Sequence, residues 1–276
     1  MTGNYFGKLN LEKINNYMFE KPGFKEMQAS QYQDMFDSED RLWWYNGLRD
    51  LMGFYVEKYS SKEAFIADVG CGTGRNLLYL KELDYKNLSG LDLSARAVEF
   101  CKQRGLENVV VGNAVDTKLE KESQDVVLLM DLIAMFDENQ TIDLLSEVGR
   151  ILKNTGVLII NTAALPFLFS QHDEVCNVQI RYTYKQLKDL LEKNDWKVEV
   201  STYRVFLLFP LIASIKILKK ITHKLNTKTE SDQGVPIAPL NWILKKIMFL
   251  ENKLIKSKIK LPIGSSLFIV CRKNVF

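Results

Sequence analysis

The feature that most constrains this chain is a short apolar run, Phe65–Val69, that ends in Gly70-Cys71-Gly72-Thr73-Gly74 and opens into a helix-forming stretch, Asn76–Leu83. Three glycines in five residues allow backbone angles closed to other residues and leave bare main chain for a ligand to lie against. A strand that turns through such a loop into a helix is the opening unit of a parallel α/β sheet. The alternation continues downstream. Leu88–Leu91 reads as a second strand ending at Asp92, and Ser94–Arg104 as a helix with Ser94 as N-cap and Gly105 as its stop. Val109–Val111 reads as a third strand and Asp125–Met130 as a fourth, apolar enough to be buried on both faces. Glu138–Lys153 is an amphipathic helix and Val157–Ile160 a fifth strand. A loop (Asn161–Tyr182), a helix (Thr183–Asn194), a strand (Trp196–Tyr203) and a last strand (Ser266–Cys271) complete the series. The expected fold is a doubly wound α/β sheet with helices on both faces.

The spacing of the glycines bears on the ligand. Asp92 ends the second strand 18 residues beyond Gly74, where an acid can accept hydrogen bonds from both hydroxyls of a ribose. Strand, glycine loop, helix and acid together imply a nucleoside-binding crevice. A dinucleotide site wants G-x-G-x-x-G/A, with the pyrophosphate on the helix N-terminus. This chain has G-x-G-x-G, with Arg75 where the third small residue would fall. A preceding acid, Asp68, is unwelcome near a pyrophosphate but suits a ligand carrying a cationic amine and a sulfonium. A nicotinamide-dependent oxidoreductase is therefore disfavoured, and a glycine turn without a ligand is the bland alternative.

On these residues the chain resembles the Rossmann-like class of S-adenosylmethionine-dependent methyltransferases, over roughly residues 64–203 and Ser266–Arg272. The resemblance implies a seven-stranded, mostly parallel sheet whose last strand is antiparallel, with S-adenosyl-L-methionine as cofactor. It places Asp68, Gly70, Gly72 and Gly74 at the methionine end of the cofactor, Asp92 on the ribose and Leu93 beside the adenine. Asn113-Ala114 would meet the adenine amine, and Met130-Asp131 would border the transferred methyl group. A narrower resemblance is to bacterial methyltransferases often associated with cell-envelope and polysaccharide functions. It rests on Trp43-Trp44-Tyr45-Asn46-Gly47-Leu48-Arg49, His172-Asp173-Glu174 with Arg181-Tyr182-Thr183, Leu208-Phe209-Pro210, and Leu261-Pro262-Ile263-Gly264-Ser265-Ser266-Leu267. Where relatives tend to carry Glu-His after the fourth strand, this chain has Ala134-Met135; where they tend to carry His-Arg-Arg, it has Val178-Gln179-Ile180. Those departures motivate an alternative in which the chain binds the cofactor as a partner or regulator without turnover.

Methyl transfer is an in-line displacement in which positioning supplies most of the acceleration, and a base is needed only when the acceptor must lose a proton. His172 is the candidate base, with Asp173 beside it to orient the ring and Tyr182 as a further candidate catalytic residue. The alternative for His172 is a hydrogen bond that ties its loop to the body. His223 lies in a lysine-rich helix and reads as solvated. Trp43, Trp44 and Tyr45 are candidates for an aromatic lid over a cationic sulfonium, or else core anchors. Arg49 is a candidate partner of the methionine carboxylate, or else a surface ion pair.

Charge divides the chain. Residues 1–203 hold 23 Lys and Arg against 31 Asp and Glu, a net of −8; residues 204–276 hold 14 against 3, a net of +11. Only a tight turn is needed between the last two strands, so residues 204–265 read as an insertion. Ile215, Leu218, Ile221 and Leu225 fall on one helical face with Lys216, Lys219, Lys220 and Lys224 around them. Ile243, Ile247, Leu250 and Leu254 repeat the plan with Lys245, Lys246, Lys253 and Lys256. Basic amphipathic helices with Trp242 and Phe249 nearby read as membrane-surface elements, the bland alternative being helices packed on the body with solvated lysines. Nucleic acid fits less well, because the tail is nearly as apolar as it is basic. The longest apolar run, Val205–Ile215, is too short to span a bilayer. Cys71, Cys101, Cys176 and Cys271 form no metal-ligand pattern, so free thiols and no metal are expected. Met1–Asn10 is polar, with no secretory signal, which together with the thiols implies a cytoplasmic protein, peripheral on the inner membrane face. The expected organisation is an N-terminal helical cap (1–62), a cofactor-binding core (63–203), a basic helical insertion (204–265) and a last core strand (266–276). The expected acceptor is a small molecule or a lipid-linked one.

Overall fold

The structure is a computed structural model that describes residues 29–222 and 236–274. Two helices, α1 (Ala29–Ser38) and α2 (Trp43–Tyr59), precede the sheet. Then follow β1 (Phe65–Val69), α3 (Arg75–Glu82), β2 (Asn87–Asp92), α4 (Ala95–Gln103), β3 (Val109–Val111), β4 (Gln124–Met130), α5 (Glu138–Ile151) and β5 (Leu152–Ala163). A short helix α6 (Gln171–Val175), α7 (Tyr184–Lys193), β6 (Trp196–Arg204), α8 (Phe209–Thr222), α9 (Ala238–Lys256) and β7 (Ser266–Lys273) complete the order. The seven strands lie in the order β3-β2-β1-β4-β5-β7-β6. β7 runs antiparallel to both neighbours, and the other pairs are parallel. This is the seven-stranded, mostly parallel sheet expected from the sequence.

Alternation along the strands builds two cores. Val127 and Leu129 of β4 face α5 and α7, against Leu144, Val148, Leu187 and Leu191. Val126 and Leu128 face the other way, against Leu51, Val56, Leu77 and Leu80 of α2 and α3. Each such side chain contributes about 1.5–3 kcal/mol when fully buried. Local signals end the helices as expected: the Ser94 hydroxyl caps α4, Asp137 and Gln140 form a capping box on α5, and Gly105 leaves α4 at φ +73.

Two elements differ from their sequence-based expectation. β5 runs on to Ala163, because Asn161, Thr162 and Ala163 pair with Phe268, Leu267 and Ser266 of β7. Polar residues at 161 and 162 hide that extension from any local pattern. The stretch expected as a loop to Tyr182 contains a 3-10 turn at Pro166–Leu168 and the helix α6.

Beyond β6 the chain leaves the sheet through α8 and returns along α9, which lies on α2. Asn252 Nδ2 donates to the Gly47 carbonyl (2.7 Å) and to Asp50 (2.8 Å), and Lys256 pairs with Asp50 at 2.8 Å. Asn241 Oδ1 accepts from the Trp43 amide at 3.0 Å. The root of this excursion is tight. A Cβ on Gly264 would stand 2.0 Å from the Arg204 carbonyl oxygen, whereas one on Gly149 of α5 would meet only the Trp196 ring, at 3.7 Å. Gly264→Ala should therefore destabilise by more than about 2 kcal/mol, as overpacked sites do. Gly149→Ala should stabilise by about 0.5–1 kcal/mol through helix propensity. Urea denaturation of the two variants against the wild type checks both signs, and equal midpoints would contradict the close packing at Gly264.

Candidate functional site

The carboxyl ends of β1, β2, β3 and β4 open onto a cavity of about 520 Å³. Its first wall is the glycine loop. Gly70 and Gly72 sit at φ +75 and +53, angles that favour glycine. The Gly70 and Cys71 amides donate to the Leu91 carbonyl (2.8 and 3.0 Å), and the Gly72 amide donates to Asp92 Oδ2 at 2.8 Å. Asp92 also accepts from the Ser94 amide (3.0 Å) and the Tyr32 hydroxyl (3.3 Å). One carboxylate thus joins the glycine loop, the start of α4 and helix α1. Leu93, Asn113 and Ala114 line the cavity beside it, with Asn113 Oδ1 held by the Val115 amide at 3.1 Å.

Trp44 and Tyr45 form the facing wall, edge to face with ring centroids 5.0 Å apart. Met130 and Asp131 close the end of β4. Asp131 takes φ +62, and its carboxylate accepts from Asn161 Nδ2 at 2.7 Å. Burial pushes its carboxyl up to about 7, against the opposing pull of Arg204 and Asn161. His172, on α6, lines the far end, its ring nitrogens 3.7 and 3.9 Å from Cys176 Sγ.

The structure places four of the expected site residues off the cavity lining. Asp68 lies wholly buried behind the glycine loop and does not line the cavity. Gly74 faces α4: a Cβ there would meet Leu106 at 2.6 Å and Cys101 Sγ at 2.7 Å, so this glycine lets helices pack. Arg49 is buried away from the cavity, its Nη2 donating to the Glu39 carbonyl and its guanidinium pushed down to about 10 by burial and the nearby Arg75. The Tyr182 hydroxyl lies 3.3 Å from the Thr141 hydroxyl in the core, off the cavity. Asp173 does line the cavity, but its contacts are structural. Arg181 donates to Oδ1 through Nε (2.9 Å) and Nη2 (2.7 Å), and the Ser170 amide and hydroxyl donate to Oδ2 (2.8 and 2.9 Å). Burial opposes ionisation there, yet these bonds hold the carboxyl below its usual range.

Sequence reading missed the contribution of α1. Tyr32, Met35 and Glu39 line the cavity from above the glycine loop, and their spacing of three and four residues was a readable helical face. Glu39 bonds the Thr73 hydroxyl and pairs with Arg104 at 2.7 Å. Lys216 of α8, expected beside the apolar stripe of a membrane-surface helix, lines the cavity. Among the described residues no cluster of three or more His, Cys, Asp or Glu could hold a metal.

With this geometry in place, likeness to known proteins identifies the central segment. The family model described as a methyltransferase domain matches residues 67–160. That match covers most of β1, all of β2 to β4 and most of β5, the part of the sheet that carries the glycine loop. An uncharacterized protein of Methanocaldococcus jannaschii is 29% identical over 144 residues, 52% of this chain and 53% of that one. A ribosomal protein L11 methyltransferase of Acetivibrio thermocellus is 26% identical over 145 residues, 51% of this chain and 43% of that one. The chain thus spans about half the length of the curated relatives it matches. Among solved structures, a geranyl diphosphate C-methyltransferase of Streptomyces coelicolor superposes with a TM-score of 0.53 at 16% identity, over 81% of this chain and 78% of that one. The [4+2]-cyclase SpnF superposes with a TM-score of 0.54 at 16% identity, over 84% and 82%. At these identities the likeness establishes the fold alone, and the fold carries more than one chemistry.

Within the matched segment the acid before the glycines has a measurable signature. The Asp68 carboxyl is pushed up to about 7 by burial and then by the nearby Asp92 carboxylate, with Asn76 opposing. In the unfolded chain such a group titrates near ~3.9. Below that pH the carboxyl is neutral in both states and costs nothing. Between about 4 and 7 only the folded state keeps its proton, so folding stability falls as pH rises and stays reduced above 7. Asp68→Asn removes this cost. The variant should match the wild type near pH 4 and exceed it in stability at pH 8, measured by urea denaturation without ligand; a constant difference across that range would refute the assignment.

Proposed function

We propose that this chain transfers a methyl group from S-adenosylmethionine to a small or lipid-linked acceptor at the surface of an anionic membrane. The observation that carries the cofactor half is the join of the glycine loop to Asp92, which sets bare backbone beside a carboxylate able to hold ribose hydroxyls. The cavity suits this ligand. Buried carboxylates at Asp68 and Asp131 and the Trp44 and Tyr45 rings favour a cation, and Leu93 and Ala114 offer apolar contact to a base. When bound, S-adenosylmethionine supplies an electrophilic methyl group. The chain's part is to exclude water, align the acceptor and take a proton where one must leave. Asp131 and His172 both stand in the cavity for that purpose.

The membrane half is supported by where apolar surface is exposed. Among the described residues, the exposed large apolar side chains outside Ile142 and Phe167 all lie between Leu207 and Ile259, in the segment with the +11 charge. α8 presents Leu211, Ile215 and Leu218 outward, and α9 presents Trp242, Ile243 and Leu250, with Lys246 and Lys253 exposed among them. Lys245 and Lys256 instead bond Asn46 and Asp50 of α2. Lys224 and Leu225 of the expected stripe and the nearby His223, with the side chains of Lys219, Lys220 and Ile221, lie outside what the structure describes. No described helix is long and apolar enough to cross a membrane, and the proposed contact is with its surface.

Two outcomes follow. Asp92→Ala should weaken S-adenosylmethionine binding by roughly 1.5–3 kcal/mol in titration calorimetry, the range for hydrogen bonds to a charged group; unchanged affinity would remove the ribose assignment. Wild type should sediment with vesicles of increasing anionic lipid content, less so at high salt, and Leu211→Ser/Ile215→Ser/Leu218→Ser should sediment much less. Equal partition of the two proteins at every composition would leave the exposed stripe without a membrane role.

A further inference from the structure

Two polar atoms on cavity-lining residues have no hydrogen-bond partner among the described residues: the Tyr45 hydroxyl and Asp131 Oδ2. A buried tyrosine hydroxyl ordinarily finds one. Asp131 is clamped by Asn161 from two sides. Its amide donates to the Asn161 carbonyl at 2.7 Å, and its Oδ1 accepts from Asn161 Nδ2 at 2.7 Å. Its backbone is held at φ +62, a conformation that persists only where the surroundings over-determine it. These bonds fix the carboxylate through one oxygen and leave the other. A fixed carboxylate oxygen and a hydroxyl, both unpartnered in one cavity, fit a ligand that brings hydrogen-bond donors.

Their place in the fold says which part of a ligand that is. β1 lies between β2 and β4, where the order of strands turns back, and sheets of this kind bind ligands in the crevice at that point. Asp92 ends β2, the glycine loop follows β1, and Asp131 follows β4. A Cβ on Gly70 would meet the Leu132 side chain at 2.7 Å, so the turn at Asp131 and Leu132 abuts the glycine loop. Tyr45 reaches the same place from α2. Burial, then the Glu39 and Asp131 carboxylates, push its phenol above the usual range, so both acids stand within electrostatic reach of it. A ligand with its ribose on Asp92 crosses the glycine loop and ends against Asp131 and Tyr45. His172 comes instead from α6, beyond the end of β5.

We propose that Asp131 Oδ2 and the Tyr45 hydroxyl seat the attacking atom of the methyl acceptor, that this atom is an amine nitrogen or a hydroxyl oxygen, and that Asp131 takes its proton. The lone pair of that nitrogen or oxygen forms the new bond to the methyl carbon. The carbon–sulfur bond breaks and its electron pair stays on sulfur as a neutral thioether. The N–H or O–H proton passes to the Asp131 carboxylate, which becomes a carboxylic acid and gives the proton up to water. Burial pushes this carboxyl up to about 7, which suits a base working near neutrality. The proposal rests on the methyl-transfer reading; within it, Asp131 is selected over His172 and the acceptor is assigned a protic nucleophile.

The test compares two ligands by titration calorimetry on the full chain. Sinefungin carries an ammonium where S-adenosylmethionine carries its methyl group, and S-adenosylhomocysteine carries nothing there. Their nucleoside and amino-acid ends are the same, so Asp92 and Glu39 cancel in the ratio of the two affinities. At pH 8, where Asp131 is ionised, sinefungin should bind the wild type at least about tenfold more tightly than S-adenosylhomocysteine. At pH 5.5, where the carboxyl is protonated, most of that advantage should be gone. Asp131→Asn should lower the ratio at pH 8 by about tenfold and flatten its pH dependence. Tyr45→Phe should lower the ratio by a smaller factor while leaving the affinity for S-adenosylhomocysteine unchanged. The other ionisable groups around Asp131 are Arg204 on β6, Tyr45 on α2, Cys176 and Arg181 beyond α6, and His172, Asp173 and Lys216 along the cavity wall. Histidine is the side chain among these that ordinarily titrates in this range. A pH dependence that survives in Asp131→Asn therefore belongs to His172 and overturns the proposal, as does a wild-type ratio near one at pH 8. Thermal melts at both pH values establish that the variants are folded, and an unfolded Asp131→Asn leaves the decision to Tyr45→Phe and the wild-type ratio. Absence of S-adenosylhomocysteine binding would instead remove the methyl-transfer reading, a separate outcome because that titration is read by itself.

Discussion

Arg204 is the group on which the second half of the molecule depends. It ends β6, is wholly buried, and donates through Nη1 to Asn161 Oδ1 at 3.0 Å. Asn161 in turn donates to Asp131 at 2.7 Å, so the ends of β4, β5 and β6 share one hydrogen-bonded path. Burial pushes the guanidinium down to about 10, while Glu251 and Asp131 pull the other way. Glu251, from the middle of α9, also accepts the amides of Val205 and Leu207 at 2.6 and 3.0 Å. A buried charge is tolerated only when others compensate it, and this one is compensated from a sheet strand and from the insertion at once. The chain can leave the sheet at residue 204 and return at 266 because Arg204 and Ser266 are paired in the sheet and Glu251 of α9 holds the amides that follow Arg204.

That centre also gives physical content to the motifs read in the sequence. Trp44 lies with its ring 5.9 Å from the Arg204 guanidinium. Gly264 is where the Arg204 carbonyl needs room. The pair Asp173 and Arg181 folds the segment after β5, and Arg181 Nη1 reaches the Ala164 carbonyl at 2.9 Å. The segments at 43–49, 172–183, 208–210 and 261–267 are therefore parts of one structural frame around the distal half of the cavity. They report how that half is built. What it accepts is set by the side chains this frame leaves inside, Lys216, His172 and Ile212 among them.

The sheet was legible because its signals are local: an apolar run, a glycine, a cap. The same holds for Gly70, Gly72, Asp92, Leu93, Asn113 and Ala114, each fixed to a strand end whose place in the sheet follows from order along the chain. Long-range pairing was not legible. Nothing near Asp173 in sequence announces that Arg181 will occupy it, and nothing near Arg49 announces the Glu39 carbonyl. Direction was also hidden on α8, where periodicity separates Lys216 from Ile215 and Leu218 but does not say which face meets the body. The face was decided by the cavity beneath, which is a tertiary fact.

The carboxyls around the glycine loop bear on which ligands that end of the cavity favours. Burial, and after it repulsion from the Asp92 carboxylate, pushes the Asp68 carboxyl up to about 7. A cationic ligand relieves that repulsion, so the loop is destabilised in its absence and favoured in its presence. Asp131 follows the central strand β4 and lines the same cavity. Its backbone angle of φ +62 and its bond to Asn161 fix the carboxylate there. Arg204 behind it therefore links the frame that holds the insertion to the cavity wall.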